Sequence, residues 1–231
     1  MRTLAIVAAL AASTLACRSA SRKSAGEQVQ TVADADLGRL SPDAMGPVQT
    51  ARAALDEARD AIARARLRLQ DSRHEQEWAN AEKASAEGDR LRAAAELSSA
   101  KEAGDQRLSG LASERSAAAA LRVEAAAARL EYAVKLAQAR EAEVRTAEAR
   151  VRRAEWEVER AKLTALRQAR LPAASKYDPA PIERRIAEAT RAEEGARAKS
   201  RDLGVAARAA YEKWRSLSDR YEARARSIPT G

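Results

Sequence analysis

The chain has no phenylalanine, one cysteine, one histidine, six prolines and nine glycines in 231 residues. Each shortage excludes something. A single histidine and a single cysteine cannot supply the clusters from which zinc sites are built. The nine glycines are scattered and form no phosphate-cradling loop. Aromatic residues make up only 3% of the chain. Burying alanine removes little apolar surface from water, so a thick globular core is out of reach and an elongated shape follows. The longest apolar run, Leu4 to Ala12, is too short to span a bilayer, which needs about 20 residues.

With these classes set aside, no catalytic residue, metal site, cofactor or small-molecule substrate is expected, and the chain reads as non-enzymatic. His74 sits in a polar stretch, Asp71-Ser72-Arg73-His74, and reads as a turn residue. Alanine, arginine and glutamate dominate instead, which is the composition of long helices and coiled coils. The net charge of +8 conceals an even mixture of signs, as in Glu141 to Arg150. Glu141 with Arg145 and Glu148 with Arg152 have the i,i+4 spacing of exposed helix pairs, each worth a few tenths of a kcal/mol. Arg150, Arg152, Arg153, Arg160, Lys162, Arg167 and Arg170 form a basic stretch that reads as a solvated coiled-coil face.

The first residues read as a secretory signal: Arg2, then the uncharged run Leu4 to Ala12, then small residues. Ser13-Thr14-Leu15-Ala16-Cys17 resembles the lipobox of bacterial lipoproteins, with Ala16 as the small residue before the cysteine. The resemblance covers residues 1–17. It implies cleavage before Cys17, a palmitate-bearing lipid on Cys17, and a location in the cell envelope. Arg18, rather than aspartate, implies the outer membrane, facing the periplasm. An exported chain is not expected to meet nucleic acid. The expected partners are the membrane, through the lipid, and a protein or second copy, through the coiled coil.

Residues 17–45 lack sustained periodicity and are expected to be a disordered, flexible tether. From Val48 the apolar spacing is 3-4-3-4, through Ala51, Leu55, Ala58, Ile62, Ala65 and Leu69. That frame reaches Ser72, Gln76 and Lys83, which predicts a kink or turn near 71–75, followed by a weaker helix marked by Trp78, Ala81, Leu91, Ala95 and Leu97. Gly104 and Gly110 bracket the next expected break. A long seam follows through Val123, Ala126, Leu130, Ala133, Val144, Val151, Ala154, Val158 and Ala165. Pro172 stops that helix, and Asp178 with Pro179 starts the last one as N-cap and first helical residue. Its seam runs from Ile182 through Trp214 and Leu217 to Tyr221.

The expected fold is all-α and elongated. Segments 46–103, 111–171 and 180–228, with a linker at 172–179, form an antiparallel hairpin or an up-down-up three-helix coiled-coil bundle. The alternative keeps 76–171 as one helix. The expected function is that of a spacer, scaffold or accessory subunit. Long hairpins of this heptad style are similar to those of efflux adaptor proteins, which implies a docking tip at 171–181, although the β-rich segments of that family have no counterpart. Trp156, Trp214 and Tyr221 are the candidate partner-binding residues if exposed, and core residues if not.

Overall fold

Caps set the ends of three long helices. The Ser41 hydroxyl accepts from the Ala44 amide at 3.3 Å, and Pro42 begins the first of them. The Asp105 carboxylate accepts from the Leu108 amide at 3.0 Å, and Asp178 accepts from Ala180 at 3.0 Å with Pro179 beginning the helix. These side chains satisfy amides that have no partner inside a first turn. The computed structural model describes residues 29–229. It contains a four-residue helix α1 (Asp34–Leu37) and three long ones, α2 (Pro42–Glu102), α3 (Gln106–Gln168) and α4 (Pro179–Arg226). A short 3-10 turn, Pro172–Lys176, links the last two, and no strand occurs among the described residues. At 1.5 Å per residue, α2 and α3 are each about 90 Å long and α4 about 70 Å.

The turns between them are tight. Gly104 takes φ +71°, a left-handed conformation that costs glycine little, and closes the turn between α2 and α3. Arg170, at φ 53°, does the same for α3, letting the Leu171 amide reach back to the Leu166 carbonyl at 3.0 Å. Gly110, expected in the first break, lies inside α3 instead.

The turn expected near 71–75 does not occur: these residues lie inside α2, one helix from Pro42 to Glu102. The same heptad frame continues through Ser72, Ala79, Ala86 and Ala93, all buried. Ser72 survives burial because its hydroxyl donates to the Leu69 carbonyl at 2.8 Å. Where two backbones run this close, the seam requires small side chains rather than apolar ones. Trp78 and Leu91, expected on the buried face, are 59% and 67% exposed. The alternative of a single helix over 76–171 also fails, because the chain turns at 103–105.

α3 is the middle helix. It packs along α2 on one side and α4 on the other, while α2 and α4 barely touch. Two separate seams make this possible. Ala126, Ala133, Val144, Ala154, Val158 and Ala165 belong to the expected seam, which meets α2 through contacts such as Val158 and Ala154 with Leu55 and Ala58. A second, carrying Ala125, Ala128, Tyr132, Ala139, Ala142, Ala149, Arg153 and Leu163, meets α4. In a heptad frame these seams lie about 150° apart around α3, so the three helices form a nearly flat ribbon.

Ion pairs along the α2–α3 edge fix the register. Arg115 pairs with Glu96, Arg122 with Asp89, Arg129 with Glu82, and Glu143 with Arg68. Residue numbers rise by heptads on α3 as they fall by heptads on α2. The sign reverses between Arg129 and Glu143, so sliding α2 one heptad away from the α2–α3 turn would set Glu143 against Glu75. The more exposed of these pairs, such as Arg115–Glu96, add little stability individually, and the set as a whole disfavours other registers.

Residues 29–45, expected to be part of a tether, are instead packed or helical. Residues from Val29 onward are packed against the end of the ribbon where α3 passes into α4. The signal segment, Cys17 and the expected disordered segment up to residue 28 lie outside the described residues.

Candidate functional site

Two arrangements stand out from a body that is otherwise alanine seam and solvated charge. The first is a clasp formed by residues 29–40. Val32 and Leu37 enter a cluster with Leu163, Leu166, Tyr177 and Ile182, which includes Leu166 and Ile182, the two largest fully buried side chains among the described residues. Polar contacts fasten the backbone. The Val32 amide donates to Glu159 Oε2 at 2.7 Å, and the Ala33 amide donates to the Tyr177 hydroxyl at 3.1 Å. That hydroxyl donates in turn to Asp36 Oδ2 at 2.6 Å. Lys162, only 9% exposed, holds Glu159 at 2.9 Å and Asp34 at 3.1 Å.

The charges of the clasp are tuned by these contacts. The hydrogen bond from Lys162, then its charge, lowers the pKa of Asp34; the Tyr177 hydroxyl lowers that of Asp36. Burial opposes the charge of Lys162, but the hydrogen bonds to Glu159 and Asp34 outweigh it and raise its pKa. Lowered carboxylates stabilise the clasp above their ordinary value near 4 and cease to do so as pH falls through their folded pKa. The raised lysine contributes below its ordinary value near 10.4 and ceases to do so as pH rises through its folded pKa. The clasp is therefore intact across neutral pH and loosens in acid. In an NMR titration, the side-chain carboxyl resonances of Asp34 and Asp36 are expected to titrate with midpoints below the ordinary aspartate pKa. A midpoint at or above that value would contradict the assignment.

The second arrangement lies midway along the ribbon. Arg129 of α3 sits 4.0 Å from the ring of Trp78 on α2 and 5.3 Å from that of Trp214 on α4. It also pairs with Glu75 at 2.9 Å and Glu82 at 2.5 Å. Tyr132 stacks on Trp214 at 5.8 Å, and Tyr211 meets both edge-on at 5.3 and 5.5 Å. A side chain of α3 thus links α2 and α4, which otherwise barely meet. Such cation–π contacts strengthen as they are desolvated.

Of the candidate partner-binding residues, Trp214 belongs to this cluster and is half-buried. Trp156 is half-buried as well, on the α4-facing seam between Arg153 and Leu163. Tyr221 is half-buried and lines an open groove of about 490 Å³ at the far end, over Ala118 and Arg122 and beside Ile228. The structure does not bring the three together. Spacing does not single out Arg129, Tyr132 and Tyr211, and it marks Trp78 only as part of a helix; the signal available is the pair of interleaved seams on α3, of which the sequence reading follows one.

Among the described residues, no group of three His, Cys, Asp or Glu side chains could hold a metal ion. Among the same residues, no helix is long and apolar enough to cross a membrane. Comparison with protein-family models, curated proteins and solved structures returns no match.

Proposed function

We propose that this chain is a non-enzymatic, lipid-anchored protein of the cell envelope, held by Cys17 and acting as a spacer, scaffold or accessory subunit. The observation that carries the reading is the position of the clasp. Val29 leaves the folded body at the α3–α4 end of a rod about 90 Å long. The stretch between Cys17 and Val29 reaches at most about 40 Å when fully extended. An anchor at Cys17 therefore keeps one end of the rod near the bilayer and lets the α2–α3 turn stand away from it. The lipobox resemblance of residues 13–17 supplies the anchor, and the alanine seams supply a stiff body with little surface for chemistry.

Docking through the 171–181 loop has less support. Lys176 pairs with Asp36 at 3.6 Å, and Tyr177 is buried under the clasp, so the chain's own N-terminal segment occupies part of that tip. An adaptor would use the opposite end, at 103–105.

Membrane fractionation tests the anchor. The wild-type chain is expected in the membrane fraction with a lipid-modified N-terminal cysteine, and Cys17→Ala is expected to lose both the lipid and stable association. A wild-type chain that is soluble, or retains residues 1–16, would overturn this reading.

A further inference from the structure

A flat ribbon leaves both faces of its middle helix uncovered, and one of them carries an ordered pattern of charge. Along α3, Glu124, Glu131, Gln138, Arg145 and Arg152 recur every seventh residue, and all five are exposed. They form one stripe, acidic toward the start of α3 and basic toward its end, with the neutral glutamine in the middle. Shallow depressions flank Gln138 on both sides. One is lined by Lys83, Leu130 and Val134, the other by Ala142, Lys199 and Leu203.

We propose that this face pairs with the same face of a second copy, antiparallel, about a two-fold axis at Gln138. Symmetry then sets Glu131 against Arg145 of the partner, Glu124 against Arg152, and Lys135 against Glu141, each contact occurring twice. A parallel pairing would set glutamate on glutamate and arginine on arginine, so the stripe selects the antiparallel arrangement. Glu131 pairs within the chain with Lys213 at 2.8 Å and Arg145 with Glu141 at 2.6 Å, yet both remain about half exposed. Among the described residues Glu124 and Arg152 have no ion-pair partner of their own. Because Gln138 lies near the middle of α3, the two rods overlap along almost their full length, with their clasped N-termini at opposite ends. Joined to the anchoring proposal, this gives a rod with a lipid at each end; the pairing itself does not depend on the lipid.

The full chain carrying Cys17→Ala tests the pairing apart from anchoring and removes the only thiol. In this background Gln138→Cys is expected to form a disulfide-linked dimer under mild oxidation. Glu131→Cys is not, because its two copies would lie about 21 Å apart. In sedimentation equilibrium, Glu131→Arg or Arg145→Glu alone is expected to weaken association roughly tenfold. The double exchange, which keeps net charge and restores every opposite pair, is expected to return it to within about threefold. Circular dichroism confirms that each variant keeps its helix. Three results would each overturn the proposal: a monomer at all concentrations, equal cross-linking at positions 131 and 138, or a double exchange as weak as the singles.

Discussion

Ile182→Ala is expected to destabilise the protein by about 3 kcal/mol, far more than any seam alanine could account for. Ile182 is 1% exposed and packs with Val32, Leu37, Leu163, Leu166 and Tyr177. Elsewhere the buried positions are mostly alanine, which contributes little on burial. Large buried side chains are concentrated at this one end, so a cavity there removes a disproportionate part of the apolar stabilisation. The clasp should loosen with it, since Val32 and Leu37 rest in the same cluster. Chemical denaturation gives the stability change, and amide exchange at Val32 reports the clasp. A loss under about 1 kcal/mol, with Val32 still protected, would show that the cluster does not hold this end together.

Arg129→Ala is expected to cost about 2–3 kcal/mol, against less than about 0.5 kcal/mol for Arg59→Ala. Both arginines form ion pairs, so their surroundings decide the difference. The Arg129 side chain is 14% exposed, bonded to two carboxylates and bracketed by two indoles. Arg59 is 58% exposed and pairs with Asp56 one turn away on its own helix. Glu75 and Glu82 are partly open to water, which keeps the figure for Arg129 below that of a fully buried pair. Removing Arg129 also takes away the one side chain that touches rings on both outer helices. Thermal unfolding of both variants, with tryptophan fluorescence for Trp78 and Trp214, checks the contrast. Equal small losses would reduce the cluster to surface decoration.

Much of the fold was legible because caps and seams are local. Asp178, Pro172 and Pro179 mark helix ends by backbone chemistry that needs no distant partner. The α4 seam from Ile182 to Tyr221 was read as it is packed. The break at 71–75 was a misreading with a clear cause: Ser72, Gln76 and Lys83 are not apolar, yet a close alanine-type seam selects for small volume and tolerates amphipathic stems. Trp78 and Leu91 are large, yet α2 carries both off its buried alanine seam, where Trp78 lies open to water on one side and meets Arg129 of α3 on the other. The clasp was not legible at all. The Val32 and Ala33 amides donate to Glu159 and Tyr177, 127 and 144 positions away, and nothing in the periodicity of residues 29–40 announces such partners. The aromatic–arginine cluster was hidden for a related reason, since its members come from three helices and only their packing sets them together.

The central claim is that Cys17 holds the clasped end of an unpaired chain at a membrane while the opposite end of that chain stands free. The most direct measurement is energy transfer from single fluorescent probes to an acceptor dye in the bilayer, using the lipidated protein in vesicles at a surface density low enough that the chains are unpaired. A probe at Ser175, in the exposed loop beside the clasp, should transfer strongly, and one at Gln106, at the start of α3 on the far end, should transfer weakly. Equal transfer from both positions, or stronger transfer from Gln106, would contradict it.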